Sequence, residues 1–60
     1  MSVNNLCYAI YQRMHGLVIT LMQQNPNHVN DRDLTGYTPL TMAIANRDME
    51  CARILLLGGP

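Results

Sequence analysis

The sequence predicts an all-α chain, two helix-turn-helix units joined by a hairpin-like loop. Three observations carry that expectation. The first is an internal similarity at an offset of 34 residues: Leu6-Cys7-Tyr8-Ala9-Ile10 aligns with Leu40-Thr41-Met42-Ala43-Ile44, Leu21-Met22 aligns with Leu55-Leu56, and Arg13 with Arg47. A period of this length marks stacked supersecondary units, each too small to bury its apolar face alone. The second is the three- and four-residue spacing of apolar positions inside each unit, which is the helical period. The third is the cluster of Asn, Asp, Pro and Gly that separates the units.

Taken in order, the first unit predicts a helix from Leu6 to Gln12 and a second from Leu17 to Gln24. Its caps are poor: Met14 stands where the second unit has Asp48, and Gly16 sits near the start of the second helix. An interior helical glycine costs roughly 0.5–1 kcal/mol relative to Ala. Asn25 suits a left-handed residue closing that helix. From Pro26 to Gly36 the composition predicts an extended, turn-forming excursion, with Gly36 supplying a positive φ. Thr38-Pro39 then opens a helix to about Asn46, since a Thr oxygen accepts free helix N–H groups and Pro fits the first helical position. Leu40, Ala43 and Ile44 share one face of it, and small Ala43 permits close helix approach. Asp48 caps a last helix with Met49, Ala52, Leu55 and Leu56 at helical period, ended by Gly58-Gly59-Pro60. The chain divides into a partial, degenerate unit, residues 1–30, and a fuller one, residues 31–60, expected to be truncated at its C-terminal end.

Composition narrows the function classes. Four arginines, no lysine and four acids leave a formal net charge of zero over 60 residues, with 48% apolar and 13% charged. That is too apolar for disorder, and no basic cluster offers a surface for tracking phosphates, so nucleic acid is not an expected partner. The apolar stretch from Gly16 to Met22 is too short to span a bilayer, and Met1-Ser2-Val3-Asn4-Asn5 lacks the basic start of a secretory signal. A cytoplasmic or nuclear address is the expectation. Cys7 and Cys51 have no CxxC spacing and read as buried small hydrophobes. For a domain of this size, roughly 85 kcal/mol of apolar burial stands against about 90 kcal/mol of ordering entropy, so the chain alone is marginal.

The run Asp33-Leu34-Thr35-Gly36-Tyr37-Thr38-Pro39-Leu40-Thr41-Met42-Ala43, followed by Asp48 to Leu56 and Gly59, closely resembles an ankyrin repeat. Leu6 to Asn30 resembles most of a preceding repeat, with Val29-Asn30 in place of the Val-Asn that enters the family's hairpin. About one and three-quarter repeats are present. Two departures weaken the second unit. Thr41 replaces the usual His that bridges neighbouring repeats, and Arg47 replaces the usual helix-ending Gly. If the backbone keeps the family geometry, Arg13 and Arg47 both enter the left-handed region at about 1 kcal/mol each. The offset of 34 against the family's usual 33 implies one extra residue near Asn27 or His28.

No catalytic constellation is legible. His15 and His28 with Cys7 and Cys51 offer no ordered third group or oxyanion site, and the repeat separates them too widely for a metal. Asp31, Asp33 and Asp48 read as turn and capping residues. No cofactor is implied. The resemblance implies a non-enzymatic protein-protein interaction module whose partner-binding surface is formed by hairpin tips and first helices. By position that surface comprises Tyr11, Gln12, Arg32, Leu34, Thr35, Tyr37, Ala45 and Asn46, with Tyr11, Tyr37 and Arg32 as anchors because Tyr and Arg are enriched at interface hot spots. The same resemblance makes Asn30 a candidate for asparaginyl hydroxylation. The partner is another protein of unstated identity. Ending at Gly59-Pro60, inside the repeat boundary, the chain leaves some of Ile54, Leu55, Leu56 and Leu57 without a following unit. Two alternatives follow: a truncated or degenerate fragment without independent function, and self-association or stacking on further repeats.

Overall fold

The structure, a computed structural model, describes residues 5–58. Met1 to Asn4 and the Gly59-Pro60 end of the last helix signal lie outside them. Four α-helices and one 3₁₀ helix follow in order: α1 (Leu6–Tyr11), α2 (His15–Gln24), the 3₁₀ helix (Pro26–Asn30), α3 (Pro39–Ala45) and α4 (Met49–Gly58). Helix α1 packs on α2 and α3 on α4, and the two pairs stack so that α1 lies against α3 and α2 against α4.

Three of the four α-helices begin where a side chain meets their free N–H groups. Asn5 accepts from the Cys7 N–H at 2.7 Å, Thr38 from that of Thr41 at 3.3 Å, and Asp48 from that of Cys51 at 3.2 Å. Helix α2 has no such cap, because the side chain before it is Met14. The first helix of each pair ends in the same way. Arg13 and Arg47 take φ of 58° and 55°. The next N–H reaches back five residues, Met14 to the Ala9 carbonyl and Asp48 to the Ala43 carbonyl, both at 2.9 Å. With Arg13 N–H on Ile10 and Arg47 N–H on Ile44, these are two Schellman closures one repeat apart.

Several boundaries differ from the sequence expectation. Helix α2 starts at His15 rather than Leu17, and α4 continues through Gly58. Asn25 is extended, with φ −153° and ψ 101°, instead of left-handed. Its carboxamide accepts from the Asn27 N–H at 3.1 Å, and Pro26 takes the first position of the new helix. The region 26–36 is therefore not wholly extended. Asn25 and Pro26 supply the start signals for a 3₁₀ turn, and Val29 packs it against the core.

The core is asymmetric. Leu6, Ile10 and Val18 are fully buried, joined by Leu21 and Met22, whereas the second pair contributes mainly Ala43, Cys51, Ala52 and Leu55. Leu40 and Ile44, which share the face of α3 with Ala43, are exposed, as are Met49 and Leu56 on α4. The first pair is covered by the second, and no described residue covers the outer face of the second.

A buried carboxylate fastens the two pairs. Asp48 is 3% exposed, and its Oδ2 lies 2.6 Å from His15 Nε2 and 3.9 Å from Arg13 Nη1. Burial pushes its pKa up. The hydrogen bond with His15, the Cys51 N–H and the positive charges of His15 and Arg13 outweigh that and hold the carboxyl below its usual value. A carboxyl lowered in the folded state stabilises the fold above its unfolded pKa of about 4, and this contribution is lost as pH falls through the folded value. The urea midpoint should drop below about pH 4, and less steeply in Asp48→Asn, which keeps the cap but costs about 1.5–3 kcal/mol at pH 6. Gly16→Ala, with open space around the added methyl, should raise stability by roughly 0.5 kcal/mol in the same titration.

Candidate functional site

The loop between the pairs is tied to the start of the first. Asp31 Oδ2 accepts from the Leu6 N–H at 2.8 Å, supplying one of the free donors at the start of α1, and lies 2.7 Å from His28 Nδ1. Asn5 Nδ2 donates to the Arg32 carbonyl at 3.2 Å. Beyond this anchor, Asp33 organises the turn: its Oδ1 accepts from the Thr35 hydroxyl at 2.7 Å, the Tyr37 N–H at 2.8 Å and the Thr35 N–H at 2.9 Å. The bond from the Thr35 hydroxyl, joined by the backbone donors and opposed by burial, holds the Asp33 carboxyl below its usual value. Backbone bonds from Asp33 to Tyr37 at 3.1 Å and from Gly36 to Asp33 at 3.0 Å close the turn, and Gly36 takes φ 90°, where a side chain would be strained.

Between this loop and the parallel edges of α1 and α3 runs one mostly apolar groove of about 810 Å³. Tyr11, Tyr37 and Leu34, all exposed, stand along it. Tyr8 and Met42, half-buried, line it between them. Beneath them the Cys7 thiol donates to the Tyr37 carbonyl at 3.4 Å. Arg32 also lines the groove, its guanidinium donating to the Gly36 carbonyl at 3.0 Å.

Of the residues selected from sequence, Tyr11, Arg32, Leu34, Thr35, Tyr37, Ala45 and Asn46 line this groove together. Gln12 is exposed outside the lining. Asn46 is also structural: its Nδ2 donates to the Ile10 carbonyl at 3.1 Å and the Tyr11 carbonyl at 3.4 Å, and Arg13 donates to its carbonyl. Asn30 is exposed at the end of the 3₁₀ helix, away from the groove lining. Sequence reasoning missed Asn5, Cys7, Tyr8, Asp33 and Met42. A helical signal was available for two of them, because Tyr8 lies three residues before Tyr11 and Met42 three before Ala45, on the same helix faces.

Cys7 and Cys51 are both free and buried. Burial pushes each thiol up to about 11, helped at Cys7 by the negative charges of Asp33 and Asp31 and at Cys51 by that of Asp48. Among the described residues, no three His, Cys, Asp or Glu side chains are grouped to hold a metal ion, and no helix is long and apolar enough to cross a membrane.

Comparison with known proteins gives a family and one relative. The family of ankyrin repeats, described as occurring in many copies, matches residues 6–56. The chain is also 35% identical over 46 residues to an NAD-dependent deacetylase, sir2B, of Dictyostelium discoideum. That alignment covers 77% of this chain and 6% of the deacetylase, so the likeness concerns a small part of that protein. No solved structure matches.

Raised thiol pKa values slow alkylation, since the thiolate is the reacting form. In native buffer at pH 8, Cys7 and Cys51 should react with iodoacetamide about a hundred-fold more slowly than in denaturant. Mass-spectrometric rates for the two peptides check this, and comparable rates at Cys7 in both conditions would show that the groove floor opens freely.

Proposed function

The chain belongs to the ankyrin-repeat family, whose units are non-enzymatic protein-interaction modules, and from that premise we propose that the groove between loop 31–37 and helices α1 and α3 binds a segment of another protein. The observation that carries this is the disposition of Tyr11, Leu34 and Tyr37. Leu34 is fully exposed and Tyr11 61% exposed, while the backbone beside them is hydrogen-bonded through the Tyr37 N–H and the Tyr11 carbonyl. Aromatic side chains displayed on a hydrogen-bonded backbone leave less chain to order on binding, and Tyr is enriched at interface hot spots.

In this scheme the partner's apolar side chain enters between Tyr8, Tyr11 and Met42, displacing water from a lining that is mainly carbon. Arg32 at the groove offers donors to the partner's backbone or carboxylates. Thr35 and Leu34 close over the other side. A cytoplasmic or nuclear protein suits the two free thiols, Cys7 and Cys51.

Binding segments selected from a random peptide library against the folded chain provide the test. Tyr37→Ala and Tyr11→Ala should each weaken selected peptides at least about ten-fold in fluorescence anisotropy, while Gln23→Ala, on the exposed side of α2, leaves them unchanged. Peptides indifferent to both tyrosines would overturn the assignment of the groove.

A further inference from the structure

The net charge of zero conceals an uneven surface. All four carboxylates are engaged within the chain: Asp31 bonds the Leu6 N–H and His28, Asp33 bonds its own turn, Asp48 meets His15, and Glu50 pairs with Arg53 at 4.0 Å. The first three are buried or half-buried, and Glu50 stands on α4, which does not line the groove. The arginines are turned outward. Arg13, Arg32 and Arg47 are exposed. Arg32 spends one bond on the Gly36 carbonyl, and Arg13, 55% exposed, reaches Asp48 only at 3.9 Å. The Arg47 guanidinium meets no hydrogen-bond or ion-pair partner among the described residues, although its backbone takes φ 55°, where a side chain is strained.

The two least engaged of these guanidiniums belong to opposite ends of α3. Arg32 holds the carbonyl of Gly36, ahead of the helix, and Arg47 follows Asn46, which closes the helix and lines the groove. Arg13 joins Arg47 at that end through its bond to the Asn46 carbonyl. In the groove with them stand Tyr8, Tyr11 and Tyr37, and these are all the aromatic residues of the chain. None belongs to the core, which is aliphatic and sulfur-bearing. The one carboxylate in the lining, Asp33, has its Oδ1 taken by three donors of the turn. The charge left for a ligand is therefore positive.

We infer that the partner is an acidic segment of another protein, an apolar side chain flanked by carboxylates, seated on the three tyrosines with its carboxylates on Arg32 at one end of α3 and Arg47 at the other. This rests on the groove being the binding surface. Guanidinium forks match carboxylates in planar bidentate pairs, and each tyrosine hydroxyl can donate to a further carboxylate or carbonyl oxygen. A basic segment would set its charges against Arg32 and Arg47 and find Asp33 occupied by its own turn. The seven residues of α3 rise about 10 Å, so the two guanidiniums address carboxylates roughly three to five residues apart in extended chain at ~3.3 Å per residue. Arg47 bears a backbone strain that glycine would avoid, and a carboxylate on its guanidinium gives that position a use. Three exposed arginines without a lysine make too few phosphate contacts to favour a nucleic acid instead.

Peptides selected from a random library against the folded chain test this and separate it from the groove assignment. Binders should need Tyr11 and Tyr37 and be rich in Asp and Glu around an apolar residue. Replacing those acids by their amides should weaken binding at least about ten-fold, and Arg32→Gln and Arg47→Gly should each weaken it about three- to ten-fold. Raising NaCl from about 50 mM to about 500 mM should weaken it several-fold. Arg47→Gly relieves the backbone, so its thermal midpoint should rise by roughly 2–4 °C and lost affinity is not lost fold; helical circular dichroism checks Arg32→Gln. Binders that need both tyrosines but are neutral or basic, keep their affinity as amides, or are unmoved by both arginine variants overturn this inference and leave the groove assignment standing. Displacement by poly-glutamate of equal charge also overturns it, since any polyanion would then serve. Acidic binders indifferent to both tyrosines, or a library without binders, overturn both.

Discussion

A helix pair of this length buries an apolar face only against another pair, and the seam between the two is the constraint on which the molecule rests. Leu6, Ile10 and Val18 leave water because α3 and α4 cover the first pair, and small Ala43 lets the helices approach. The seam is also where the buried charge sits. Asp48 starts α4 and meets His15 and Arg13 from the first pair, so one carboxylate fixes a helix terminus and the relative position of two units. A buried carboxylate without these partners would cost more than the cap provides, which couples the two roles.

The groove follows from the seam. Stacking α1 beside α3 sets Tyr8 and Tyr11 opposite Met42 and Ala45, and the loop that links the pairs closes the third side. That loop is held from both ends: Asp31 bonds the first N–H of α1, and Asp33 gathers the donors of the turn ahead of α3. Loops are ordinarily the mobile part of a fold. Here Asp31 ties the loop to α1 and Asp33 bonds the turn to itself, so Leu34 and Tyr37 are displayed on a hydrogen-bonded frame.

The two arginines at positive φ show how the repeat register is kept. Arg13 and Arg47 each take up the left-handed turn that usually falls to glycine, at about 1 kcal/mol apiece, and each closes a Schellman motif onto the alanine four residues before it. Arg13 recovers part of this through the Asn46 carbonyl and the charge of Asp48. The two hairpins thus share one backbone turn, repeated 34 residues apart.

Much of the architecture was legible in the sequence because its causes are local. Thr38-Pro39 and Asp48 start helices through bonds that span three residues, Gly36 turns the chain by its own φ, and the period of 34 residues marks two units of one kind. Seven of the groove residues were legible as well, since position in a repeat carries them. The 3₁₀ turn at Pro26–Asn30 was not, because Asn25 suits both a left-handed helix end and an extended cap, and only its bond to Asn27 chooses between them. What the sequence alone determined was the helices, their hairpins and their apolar faces. The tertiary structure alone decided which of two matching faces is buried. It also decided that Asp31 serves Leu6 across 25 residues, Asp48 serves His15 across 33 and Asn46 serves Ile10 across 36, because those energies exist only once the pairs are stacked.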